Sequence, residues 1–204
     1  MDERRGRNGA GKACSAGRRA WLILAAVVFL LAGCSRNVAP KDQVARELDA
    51  IKSDASQEMF ADVLIGDADL PAEYQGRYDE LVGRILDFDY AIKSQTVDKD
   101  AGTATVVVTI TTYDFGKAYT DTYDQVIKDA AEQKIDEETD IDKYVFDMMF
   151  DKMLGLEEKK YTVDVEVHCT RNEDGDWVTD IYSNEDLLDA MTGGMRGAIR
   201  AITG

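Results

Sequence analysis

The chain has 204 residues, with 24 Lys and Arg against 40 Asp and Glu, a formal net charge of −16. So acidic a surface argues against nucleic-acid binding, where affinity comes from basic side chains that neutralise phosphates, and against docking flat on an anionic bilayer. Three cysteines (Cys14, Cys34 and Cys169) and a single histidine, His168, leave little material for disulfides, metal clusters or nucleophilic catalysis.

Arg4, Arg5, Arg7, Lys12, Arg18 and Arg19 precede an uncharged run of 14 residues from Ala20 to Gly33, which are the basic and apolar regions of a secretory leader in their usual order. The run is short for a transmembrane helix, which needs about 20 apolar residues. It closes on Leu31-Ala32-Gly33-Cys34, a stretch that resembles the bacterial lipobox. The resemblance implies cleavage between Gly33 and Cys34 and a diacylglycerol thioether on Cys34, which places the protein on the extracytoplasmic face of the cell membrane. Residues 1–33 carry six basic and two acidic side chains, so residues 34–204 hold 18 against 38, a net of −20. Such a surface adds nothing to membrane attachment, and a stable anchor takes two acyl chains. Cys14 leaves with the leader and Cys34 is modified, so Cys169 has no partner for an internal disulfide.

After a short tether, 34–39, a single α+β domain is expected over 40–194. Val44, Leu48, Ile51, Ala55, Met59 and Val63 recur at a helical period from Pro40 onward. Gly66 to Asp69 break that pattern, and Pro71 opens a second helix with Tyr74, Tyr78, Leu81 and Ile85 on one stripe, ending near Asp87. Phe88–Val97 and Thr103–Tyr113 read as a hairpin through Asp98 to Gly102. Alternation puts Ala104, Val106, Val108 and Ile110 on its core face and Thr105, Thr109 and Thr111 on the wetter one. A third helix from Phe115 carries Phe115, Tyr119, Val126 and Ala130 on its stripe, and a fourth follows the acidic run Asp136 to Asp142 with Thr139 and Asp142 at capping spacing. Tyr161–Thr170 and Trp177–Tyr182 form a second hairpin through Asn172 to Asp176. A short helix, with Ser183 and Asp186 at capping spacing, ends at Gly193-Gly194, and residues 195–204 read as a frayed tail. Strands in antiparallel pairs with helices in separate blocks indicate α+β rather than parallel βαβ winding.

A helical pair, two hairpins making a curved antiparallel sheet and a helix across it resemble the nuclear-transport-factor-two-like cone, also called cystatin-like. The lipobox, the Trp177 strand and Asn184 to Gly194 together look like a group of small bacterial lipoproteins. The cone superfamily includes enzymes and non-catalytic binding domains, so the resemblance implies a fold and leaves the activity open. The two-helix insert from Phe115 to Gly155 departs from it.

No motif of nucleotide binding, zinc hydrolysis or a serine nucleophile occurs. His168 alternates with Asp164 and Glu166, opposite Val163, Val165 and Val167, and reads as a surface histidine. Cys169 shares the valine face and reads as a buried small hydrophobe. Asp98-Lys99-Asp100 and Asn172 to Asp176 put carboxylates around a glycine, but no Glu closes a calcium loop, since Thr109 and Ser183 stand there. Both read as turns, and the Asp136 to Asp142 run as a solvated helix start. The aromatics between Tyr74 and Tyr182, among them Tyr78, Tyr90, Tyr113, Tyr119, Tyr123, Tyr144 and Tyr161, read mostly as core, with a tyrosine-lined ligand pocket as the functional alternative. The expectation is a lipid-anchored domain that binds a protein or small ligand without catalysis, with no cofactor, no metal and no nucleic acid. The alternative is a small cone enzyme using carboxylates or tyrosines, recognisable by a cleft holding two carboxylates with raised pKa values.

Overall fold

In the computed structural model, residues 38–53 and 70–203 are described. The leader, Gly33, Cys34 and the tether as far as Asn37 lie outside them, as do Ala55, Met59 and Val63 of the first helical stripe.

Helix α1, Pro40–Ser53, begins on a proline, whose missing N–H costs nothing in a first helical turn. It buries Val44, Leu48 and Ile51. Pro71 introduces a 3-10 turn, Ala72–Tyr74, that runs into α2, Gln75–Leu86. Tyr74, Tyr78, Leu81 and Ile85 are all buried, as their spacing predicts, and Asp87 caps the end.

Four strands make one antiparallel sheet in chain order: β1 Asp89–Asp98, β2 Thr103–Thr112, β3 Tyr161–Arg171 and β4 Trp177–Thr179. The register sets Ala104 opposite Cys169, Val106 opposite Val167 and Val108 opposite Val165, so one face is continuous hydrocarbon. That face meets α1 and the later helix α5, Glu185–Met191, in one buried cluster. On β1 the register slips at Lys93, a bulge that bends the strand. Strand β4 is shorter than expected. Asp180 leaves the ladder there, its N–H donating to the His168 carbonyl at 3.0 Å while its carboxylate accepts the His168 N–H at 2.9 Å, and a 3-10 turn Ile181–Ser183 follows.

Between β2 and β3 the chain forms α3, Phe115–Ala131, and α4, Ile141–Leu154. The buried stripe of α3 is Phe115, Ala118, Thr122 and Asp129, whereas Tyr119 and Val126 are half-buried and Ala130 is exposed. Small residues allow close helix contact. Asp129 can enter because Gln125 and Lys134 each donate to it at 3.0 Å and the Tyr144 hydroxyl at 2.8 Å. The helix caps also sit one residue from the expected boxes. Asp140 caps α4 by accepting the Lys143 N–H, while Thr139 turns back to Asp136, and Asn184 rather than Ser183 caps α5.

Residues 195–203, expected to fray, form α6, Met195–Thr203, packed along α3. Gly193 and Gly194 have φ of +58° and +77° and turn the chain back on itself. At this crossing the Gly116 N–H donates to the Gly193 carbonyl at 2.9 Å. A Cβ on Gly193 would lie 2.0 Å from the Tyr113 carbonyl oxygen, so the glycine is required by contact as well as by φ.

Candidate functional site: an acidic groove along a free strand edge

Period-two alternation sends the polar side chains of β3 to the sheet face away from the core. There Thr109 donates to Asp164 at 2.6 Å, Thr111 and Thr162 lie 3.2 Å apart, and Thr105 lies 3.4 Å from the His168 ring. All three pairs sit directly opposite one another in the register. Side chains approach this closely at the non-hydrogen-bonded positions of an antiparallel ladder. The even-numbered residues of β3 therefore aim their N–H and C=O groups away from β2. The bonds of His168 to Asp180 and of the Glu166 carbonyl to Asn184 Nδ2, at 2.8 Å, agree.

Beyond β3 on that side, β4 pairs only with Cys169, Thr170 and Arg171. Asp180 and Asn184 occupy the next stretch. Among the described residues, nothing pairs with the main chain of Thr162 and Asp164 or with the Glu166 N–H. A cavity of about 580 Å³ lies along this edge, floored by Val163 and Val165 and walled by Glu166, Asp180, Asp186 and Asp189. The Asn184 cap sets the wall. By holding the α5 N-terminus against the Glu166 carbonyl, it projects the acidic first turn of that helix over the groove.

The groove is electrostatically uneven. Lys93 pairs with Asp164, and with the Thr109 hydrogen bond holds its carboxyl below the usual range. Arg200, with Arg196, does the same for Glu185, and Asp189 accepts the Gly197 N–H at 3.0 Å. Glu166 and Asp186 have no cationic partner among the described residues. The Tyr161 hydroxyl at the far end is pushed up by burial.

His168 is exposed at the rim, as its alternation predicts. Cys169 is 1 % exposed on the core face, with its thiol raised to about 11 by burial. The two acidic hairpin turns spend their side chains on their own backbone. Asp98 accepts the Asp100 and Ala101 N–H groups, and Asn172 accepts that of Asp176. Among the described residues no three His, Cys, Asp or Glu lie close enough together to hold a metal ion. Most of the aromatics pack against one another or the core, while Tyr123 and Tyr182 are exposed. Tyr74 stacks on Phe150 with centroids 5.7 Å apart, and Tyr90 bonds to Asp49 at 2.7 Å. Of the tyrosines, Tyr161 alone lines the β3 groove. A second cavity, of about 590 Å³ between α3 and the α4 end, is lined by Lys117, Asp121, Lys160 and Glu158, which already pair with one another.

Reasoning from the sequence missed the groove. Its residues come from β3, the turn at Asp180 and the start of α5, whose meeting depends on β4 stopping at Thr179. The available signal was the run of polar even-numbered residues on β3 beside so short a partner strand.

No known family profile matches the chain, and no curated protein matches it. A similar solved structure is that of ycdA from Bacillus subtilis subsp. subtilis str. 168, a candidate lipoprotein, at 18 % identity and a TM-score of 0.39. The match covers 74 % of this chain and 47 % of that one, so the chain spans about half the length of the protein it resembles. A likeness of this degree leaves function to be argued from the residues themselves. Nothing in the comparisons supports the nuclear-transport-factor-two-like likeness.

Proposed function

We propose that the chain is a lipid-anchored lipoprotein whose extracytoplasmic domain binds a protein or small ligand without transforming it. The reading rests on Leu31-Ala32-Gly33-Cys34 at the end of an uncharged run behind a basic segment. Cleavage after Gly33 leaves five residues between Cys34 and the Pro40 start of α1, enough for a tether and too few for another domain. Among the described residues no helix is long and apolar enough to cross a membrane. With a net charge of −20 after cleavage, the two acyl chains supply the attachment.

Binding without catalysis suits the groove. Two of its carboxylates, Asp164 and Glu185, are held low by basic partners, the reverse of a poised general acid. The one thiol, Cys169, is buried with a raised pKa and is a poor nucleophile. In a bacterial host Cys34→Ser should leave either an uncleaved precursor of unprocessed mass or a soluble chain without the lipid. Unchanged membrane partitioning with a processed mass would contradict the proposal.

A further inference from the structure

We infer that the free edge of β3 from Thr162 to Glu166 accepts an extended cationic peptide as a fifth strand of the sheet. The inference rests on the reading of the domain as a binding module and names the chemistry of its partner.

The sheet has two edges, and they differ. Strand β1 carries the Lys93 bulge, a feature that spoils an edge for further pairing. Strand β3 runs 11 residues, and β4 covers three of them. The alternation fixed by the Thr109–Asp164 and Thr111–Thr162 pairs aims five main-chain groups into the groove: N–H and C=O of Thr162, N–H and C=O of Asp164, and the Glu166 N–H. An added strand satisfies these groups and takes its affinity from them.

The flanking chemistry selects the occupant. On the sheet face away from the core, the strand's side chains meet Asp164 and Glu166, and Glu166 has no cationic partner among the described residues. On the other face they meet Val163 and Val165, with the Asp186 carboxylate beyond. The partner that fits alternates basic and apolar residues, the pattern of a strand with one wet face. A second copy of this chain fits poorly, since its own β3 edge brings the same carboxylates and its net charge, −20 once residues 1–33 are removed, repels.

The test uses the full chain in mild detergent with a short peptide alternating lysine and valine, read by fluorescence anisotropy and by hydrogen exchange of the β3 amides. The peptide should bind and slow exchange at Asp164 and Glu166. The same peptide N-methylated at the amides facing β3 should bind about tenfold more weakly or worse. Asp164→Pro removes a groove-facing N–H, spares the main-chain bonds to β2 while giving up the side-chain contacts with Thr109 and Lys93, and should abolish binding, with Asp164→Ala as the control that loses those contacts but keeps the N–H. Should the proline variant unfold, Glu166→Lys with Asp186→Lys should lose the lysine peptide and take a glutamate–valine one instead. Equal affinity for the N-methylated peptide, no binding, or edge protection in a peptide-free dimer would each overturn the inference. A chain that is anchored through Cys34 but ignores the peptide overturns the edge site alone. One that binds the peptide without being lipidated overturns the anchor and leaves the edge site standing.

Discussion

Gly193→Ala should be among the most damaging single-methyl changes in the domain. The residue sits at φ +58°, where an L side chain costs roughly 1–2 kcal/mol. Its new Cβ would also lie 2.0 Å from the Tyr113 carbonyl oxygen and 2.9 Å from the Phe115 nitrogen, both backbone atoms that cannot swing aside. Relief requires parting the α5–α6 turn from the start of α3, which breaks the Gly116-to-Gly193 hydrogen bond, about 1 kcal/mol. It also loosens Phe115 and Met195, which are 0 % and 2 % exposed. Together these effects come to about 4 kcal/mol, a large part of a typical domain's stability. Gly175→Ala is the control. Its φ is +85° but nothing lies within 4 Å of the added Cβ, so it should cost only the roughly 1–2 kcal/mol of conformational strain. Urea denaturation of both variants, compared at equal m-value, reads the difference. A Gly193→Ala cost no larger than that of Gly175→Ala would refute the close crossing of α3 and the glycine turn.

Thr112 Oγ1 is the one buried side-chain polar atom with no hydrogen-bond partner among the described residues, so Thr112→Val should stabilise the domain by about 1 kcal/mol. A lower denaturation midpoint would mean that the hydroxyl has a partner. Asp129 is drawn down to about 2 from an ordinary 3.8 by the bonds from Gln125, Lys134 and Tyr144. A depressed carboxylate contributes stability that is complete above its unfolded value and lost as pH falls. The wild-type chain should therefore lose stability between about pH 4 and 2 more steeply than Asp129→Asn, and parallel pH profiles would exclude that contribution. Cys169, buried and raised to about 11, should resist alkylation at pH 8 in native buffer and react within minutes in denaturant. Native-state labelling at the denatured rate would contradict its place in the core.

Local pattern was enough to find most of the scaffold. Val106, Val108, Val165 and Val167 announce their shared face by alternation, and Tyr78, Leu81 and Ile85 announce theirs by helical spacing, because burial of one face imposes those periods. The features that escaped depend on contacts distant in sequence. Asp129 and Thr122 look like water-facing residues until Lys134, Tyr144 and α6 are seen around them. The final helix looks like a tail because its apolar side, from Met195 to Ile199, is short, and its packing partner α3 lies some 70 residues earlier. The groove was illegible for a related reason. A free edge is defined by what fails to pair, and that follows from Asp180 bonding to His168 and ending β4 at Thr179. The surface histidine, the buried cysteine and the plain acidic turns, each decided by local alternation or turn chemistry, lie as expected.

The central claim is the lipid on Cys34, and the mass of the mature N-terminal peptide tests it most directly. Purified from bacterial membranes and digested with protease, the protein should yield a first peptide that begins at Cys34 and carries the added mass of a diacylglycerol on its sulfur. An unmodified Cys34 thiol, or a peptide that still contains residues before Cys34, would contradict the account.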